Sequence, residues 1–89
     1  MSYNYLINFI ETTDNFVIQD ISKLIEGFVY YFKQINDKNI YKGIFKIIYY
    51  NQKTETRFIF EDVEIYNGSS FQHFTYSLST PFIDKIYYL

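Results

Sequence analysis

His73 is the only histidine in the chain, and with Glu61, Asp62 and Glu64 it supplies the residue types that acid–base or metal chemistry needs. An imidazole beside a carboxylate can pass a proton near neutral pH or help to hold a divalent cation. Whether the two meet depends on a strand register. Asn67-Gly68 is the strongest turn signal in the sequence, because both residues tolerate the left-handed backbone of tight hairpins. A two-residue loop would set Phe60 against Thr75 and Phe58 against Ser77. That places aromatics on the polar side of a strand that alternates Phe74, Tyr76, Leu78 with His73, Thr75, Ser77. A three-residue loop, Asn67-Gly68-Ser69 with Gly68 left-handed, pairs Phe60 with Tyr76 and Phe58 with Leu78, which keeps the pattern. In that register His73 lies beside Val63, with Asp62 and Glu64 as diagonal neighbours.

Other features weigh against chemistry there. A single histidine without cysteine offers no spaced set of metal ligands. Neighbours on a strand, such as Glu61 and Asp62, point to opposite faces and not into one cleft, as a paired-carboxylate hydrolase requires. Ser69, Ser70, Ser77 and Ser79 lack a nucleophile elbow, and no glycine-rich loop with a lysine follows a strand. His73 therefore reads as a surface histidine beside acids. The expectation is a protein that is not an enzyme, with no catalytic residue, no metal and no cofactor.

Lys42, Lys46 and Tyr50 share one side of a second strand, a mixture that can stack and neutralise single-stranded nucleic acid. Against that stand 8 basic and 10 acidic residues, a formal charge of −2 and a single arginine, where a nucleic-acid binder shows a basic surplus. Nucleic-acid binding is thus the alternative reading. The plainer account is that lysine stems cover a half-exposed sheet.

With 89 residues the chain is one domain, residues 1–89, with a single core. Tyr, Phe, Ile, Asn and Lys make up more than half of it and Ala is absent. All five have A/T-rich codons, which points to an A/T-rich genome, and the small size suggests a virus or mobile element of such a host. The start has no basic segment, Asn4 and Asn8 interrupt its apolar positions, and no apolar run approaches the roughly 20 residues that span a bilayer. A cytoplasmic protein without membrane contact is expected.

The elements that would carry these residues follow from periodicity. Tyr3 to Glu11 alternates as a strand, and Thr12-Thr-Asp-Asn15 is a turn or cap. Val17, Ile21, Leu24, Phe28, Tyr31 and Ile35 recur at spacings of four and three, which predicts a helix over Val17–Ile35. Asp14 and Asp20 near its start and Lys33 and Lys38 near its end suit the helix dipole. A competing reading makes residues 3–19 a hairpin with Asp20 as the cap. Tyr41–Tyr50 and Thr54–Tyr66 form a hairpin around Asn51-Gln-Lys53. In the second of these strands Phe58 and Phe60 share one parity and Ile59, Val63 and Ile65 the other, so a bulge or bend is expected near Glu61-Asp62. Thr80-Pro81 opens either a short helical turn, the preferred reading, or an edge strand. The predicted fold is α+β, in the order β-α-β-β-β: a mostly antiparallel sheet of about four strands with one face under the long helix.

One helix covers one face, yet apolar residues occur on both parities of nearly every strand. Ile44, Ile48, Tyr50, Ile59, Val63 and Ile65, with Tyr87 and Tyr88 of the tail, are therefore the candidate interaction surface, since large bare apolar patches are rare on monomers. The sequence predicts a small non-enzymatic interaction protein that docks an unidentified protein partner or a second copy of itself, with a homodimer expected.

Overall fold

Val29-Tyr-Tyr-Phe-Lys-Gln34 is rich in β-branched and aromatic side chains, which lose rotamer freedom in a helix and pack well on a pleated surface. It forms the first strand of a five-stranded antiparallel sheet. The computed structural model describes residues 18, 20–50 and 55–88. The strands are β1 (Val29–Gln34), β2 (Tyr41–Tyr50), β3 (Thr56–Tyr66), β4 (Phe71–Thr80) and β5 (Ile83–Tyr88), in the spatial order β4-β3-β2-β1-β5.

Among the described residues the helix expected over Val17–Ile35 is not there, and the α+β assignment is corrected for them to an all-antiparallel sheet. In its place a 3-10 turn, Ile21–Lys23, is capped by Asp20, whose carboxylate accepts the Ser22 N–H at 2.9 Å. Gly27 follows at φ 87°, a left-handed conformation incompatible with the middle of a right-handed helix. The supposed helical stripe is not a buried face: Ile21, Phe28 and Ile35 are 42, 57 and 52% exposed. Tyr30 and Phe32, two apart, are the residues buried in the core. Almost every position from Phe28 to Phe32 is apolar, so a helical stripe and a strand alternation can both be drawn through it.

The other ends are corrected as well. Residues 83–88 form a strand and not the preferred helical turn. The first strand at Tyr3–Glu11, the turn at Thr12–Asn15 and the connection Asn51–Lys53 lie outside the described residues. The Asn67-Gly68 hairpin has a four-residue loop, with Tyr66 opposite Phe71. Asn67 Oδ1 accepts the N–H groups of Ser69 and Ser70 at 3.0 and 2.9 Å, and Gly68 takes φ 103°. Phe60 therefore pairs with Leu78 and Phe58 with Thr80.

The order of strands forces the sheet to curl. β4 and β5 lie at opposite edges, which in a flat five-stranded sheet would be about 19 Å apart. Only Pro81 and Phe82 join them, and the three Cα steps from Thr80 to Ile83 reach about 11 Å at most. Each pairing except β1 with β2 contains a register shift, and such bulges add local twist. On β3 the shift falls opposite Gly43, with Asp62 at φ 48°, and it turns both Phe60 and Val63 inward, which accounts for the parity change near Glu61-Asp62. The corner is tied by Thr80, whose hydroxyl donates to Gln34 Oε1 at 2.5 Å and accepts the Phe82 N–H at 3.0 Å. Ile35 N–H donates to Phe82 O at 2.7 Å.

The main core lies inside the curl: Ile18, Tyr30, Phe32, Tyr41, Phe45, Phe60, Val63 and Ile86. The Phe32 ring stacks between Phe60 and Tyr41, with centroids 4.2 and 5.2 Å away. A second cluster, Tyr31, Ile40 and Tyr87 with Tyr66 and Phe71 against it, forms apart from the first.

Candidate functional site

The bulges decide what gathers on the sheet. Gly43 of β2 lies opposite the β3 bulge, close enough that a Cβ there would sit 3.2 Å from both Phe60 Cβ and Val63 Cγ2. Around it opens a groove of about 680 Å³ lined by Val29, Tyr31, Lys42, Ile44, Asp62, Glu64 and His73. The structure thus brings His73, Asp62 and Glu64 to one groove, though not in the expected register: Glu64, not Val63, is directly opposite His73.

Its charged groups are largely occupied with one another. The Lys42 ammonium lies 3.1 Å from the Glu64 carboxylate and 4.9 Å over the Phe71 ring. The His73 imidazole packs against the Tyr76 ring, with centroids 4.3 Å apart. Among the described residues no three acids or histidines are arranged to hold a metal ion. Asp62 and His73 also line the groove.

Lys46 is paired as well, 3.3 Å from Glu26 and 3.9 Å from Glu61. These pairs are half-exposed and each contributes up to about 1 kcal/mol, but the carboxylates offset the positive potential that phosphates would seek. Tyr50, the third residue of that constellation, ends β2 and pairs with Thr56.

The eight residues expected to form one interaction surface are distributed over the molecule. Val63 is fully buried in the main core, and Ile48 and Ile65 are partly buried against that core. Tyr87 is buried in the second cluster. Ile44 lines the groove around Gly43, Ile59 is half-buried between Ile47 and Ser79, and Tyr50 ends its strand. Tyr88 stands at the end of β5 and is exposed.

Tyr88 belongs to a surface that sequence reasoning missed. With Lys23, Ile25, Phe28, Val29 and Tyr30 it lines an apolar groove of about 380 Å³. Ile25 and Tyr88 are 50 and 46% exposed. The loop carrying Ile25 and Phe28 is tied down: Ile25 N–H donates to the Tyr30 hydroxyl at 2.9 Å, and Gly27 N–H to Phe45 O at 2.8 Å. Phe28 N–H closes the turn onto Ile25 O at 3.1 Å, and its carbonyl accepts Phe45 N–H at 2.8 Å. The apolar side chains are therefore presented by a fixed backbone. The signal was Glu26-Gly27 between two apolar residues, a turn pattern hidden inside the supposed helix.

Comparison with family models, with curated proteins and with solved structures finds no match for the chain. Among the described residues no helix is long and apolar enough to cross a membrane.

Proposed function

We propose that this is a non-enzymatic interaction protein that docks a macromolecular partner on the apolar groove between the Ile25–Phe28 loop and Tyr88. The observation that supports it is the fixed presentation of these side chains in water. Leaving three large apolar groups about half exposed around one concavity forgoes roughly 1 kcal/mol for each, about half of what full burial contributes, and a partner that covers them recovers it. Aromatic anchors set into a concave apolar centre are the usual energetic focus of protein interfaces. The test compares affinity capture from a lysate of the source cell by the wild-type chain and by a Phe28→Asp/Tyr88→Asp variant of unchanged melting temperature. Proteins held by the first and lost by the second support the reading. Identical captured sets would sink it.

A further inference from the structure

We infer that β4 is a self-pairing edge, on which two copies of the chain join by antiparallel β4–β4 pairing about a two-fold axis. This does not rest on the apolar groove. The two edges of the sheet are treated differently by the sequence. β5 is six residues long, carries Asp84 and Lys85, and has its Ile86 carbonyl already taken by Ile18 N–H at 2.8 Å. Short length, charge and covering are the devices by which natural sheets blunt an edge. β4 is ten residues long and contains no Asp, Glu, Lys, Arg or Pro. Among the described residues it pairs with β3 alone, and most of its side chains are exposed.

A second copy is the occupant this edge fits. Antiparallel pairing about a two-fold sets each position against one of the same strand, so a charged strand would oppose its own charges, and β4 has none to oppose. The pairing segment is Thr75–Ser79, beyond the register shift between His73 and Thr75. An axis through Ser77 sets Thr75 against Ser79, and small hydroxyl side chains at all three positions allow close approach of the backbones. The Ser77 and Ser79 carbonyls accept bonds from the Thr75 hydroxyl at 3.1 Å and the Arg57 guanidinium at 3.2 Å. A carbonyl has two lone pairs, so each can also accept a partner N–H.

The test is sedimentation equilibrium of the full chain over a concentration series, for the wild type and for Ser77→Lys, Ser77→Pro and Phe28→Asp variants whose folding is checked by circular dichroism. The wild type is expected to dimerise. Ser77→Lys, which opposes two ammonium groups at the axis, should raise the dimer Kd at least about tenfold. Ser77→Pro should do the same by removing an edge N–H, and Phe28→Asp should leave the dimer intact. A wild type that stays monomeric at its highest soluble concentration overturns the inference. So does a dimer that survives both Ser77 substitutions, or one that Phe28→Asp dissolves while they do not.

Discussion

Tyr41 shows how one side chain joins two strands to a turn. Its ring is buried against Phe32, and its hydroxyl donates to Asp37 Oδ2 at 2.5 Å. Asp37 also caps its own turn by accepting the Asn39 N–H at 2.8 Å. Burial, and then the bond to the Asp37 carboxylate, push the Tyr41 pKa above its ordinary 10.0. The folded state thus holds this proton more tightly than the unfolded chain does. The stabilisation is fully present below pH 10 and is lost as pH rises through the raised value. Tyr41→Phe should cost roughly 1.5–3 kcal/mol at neutral pH, the contribution of a hydrogen bond to a charged group. The difference from wild type should shrink above pH 10, as read from urea denaturation at pH 7 and in the alkaline range. A difference independent of pH would refute this account. Gly43 is the complementary case, a position where an added methyl group is crowded. A methyl group 3.2 Å from Phe60 Cβ and Val63 Cγ2 meets two side chains that are themselves fully buried, with the Glu61 carbonyl 3.5 Å away. Gly43→Ala should therefore destabilise by about 1–3 kcal/mol through overpacking, although alanine otherwise suits the backbone better than glycine.

At the scale of elements the segment from Ile21 to Gln34 is the one most open to a discriminating substitution. If Gly27 lay inside a helix, replacing it by Ala would stabilise the protein by about 1 kcal/mol. At φ 87° with no atom within 4 Å of an added Cβ, the same change meets backbone strain alone and should destabilise by about 1–2 kcal/mol. The sign of the shift in urea midpoint decides between the two structures of this segment. The hairpin loop permits a second test: Asn67→Ala removes the acceptor shared by Ser69 and Ser70 N–H. It should cost about 1 kcal/mol, because the loop is exposed and water can replace part of the bond. These elements also show what periodicity can carry. The break of parity at Glu61-Asp62 was legible because Phe58, Phe60, Val63 and Ile65 are bulky markers spaced among polar residues. The turn at Asn67-Gly68 was legible because few residues accept its backbone. The start of β1 was not, since the continuous apolar run from Phe28 to Phe32 has no contrast from which to read a period. The apolar groove was lost with it, because Phe28 had been assigned to the apolar stripe of the supposed helix and Ile25 fell inside the same helix. The groove at Gly43 was read only in part: the acids and His73 were singled out, but a loop one residue longer than expected and the β4 bulge moved His73 opposite Glu64.

For the whole molecule the central physical fact is that closure joins distant parts of the chain. β2, β3 and β4 form a meander through short connections, whereas β1 meets β5 only after the chain has run the length of that meander. The loop closed when Phe32 meets Ile86 is roughly ten times longer than the hairpin loops, which adds about 2 kcal/mol of closure entropy. Pairing should therefore begin in the meander, and β5 should dock late, with the Thr80 hydroxyl fixing the corner as it arrives. Two core truncations separate the stages. Phe60→Ala, in the middle of β3, and Ile86→Ala, on β5, both remove buried side chains of the same cluster. They should cost about 3–5 and 2–5 kcal/mol respectively, a large share of the ~5–15 kcal/mol that holds a domain folded. Their kinetic signatures should differ. A residue ordered before the barrier slows folding when truncated, and one ordered after it speeds unfolding. Stopped-flow mixing with urea should show Phe60→Ala chiefly in a slower folding limb and Ile86→Ala chiefly in a faster unfolding limb, on the millisecond-to-second scale of sheets rich in non-local pairing. Equal partition of the two effects between the limbs would mean that β5 is already in place at the barrier. The curl would then form in one step with the meander, not after it.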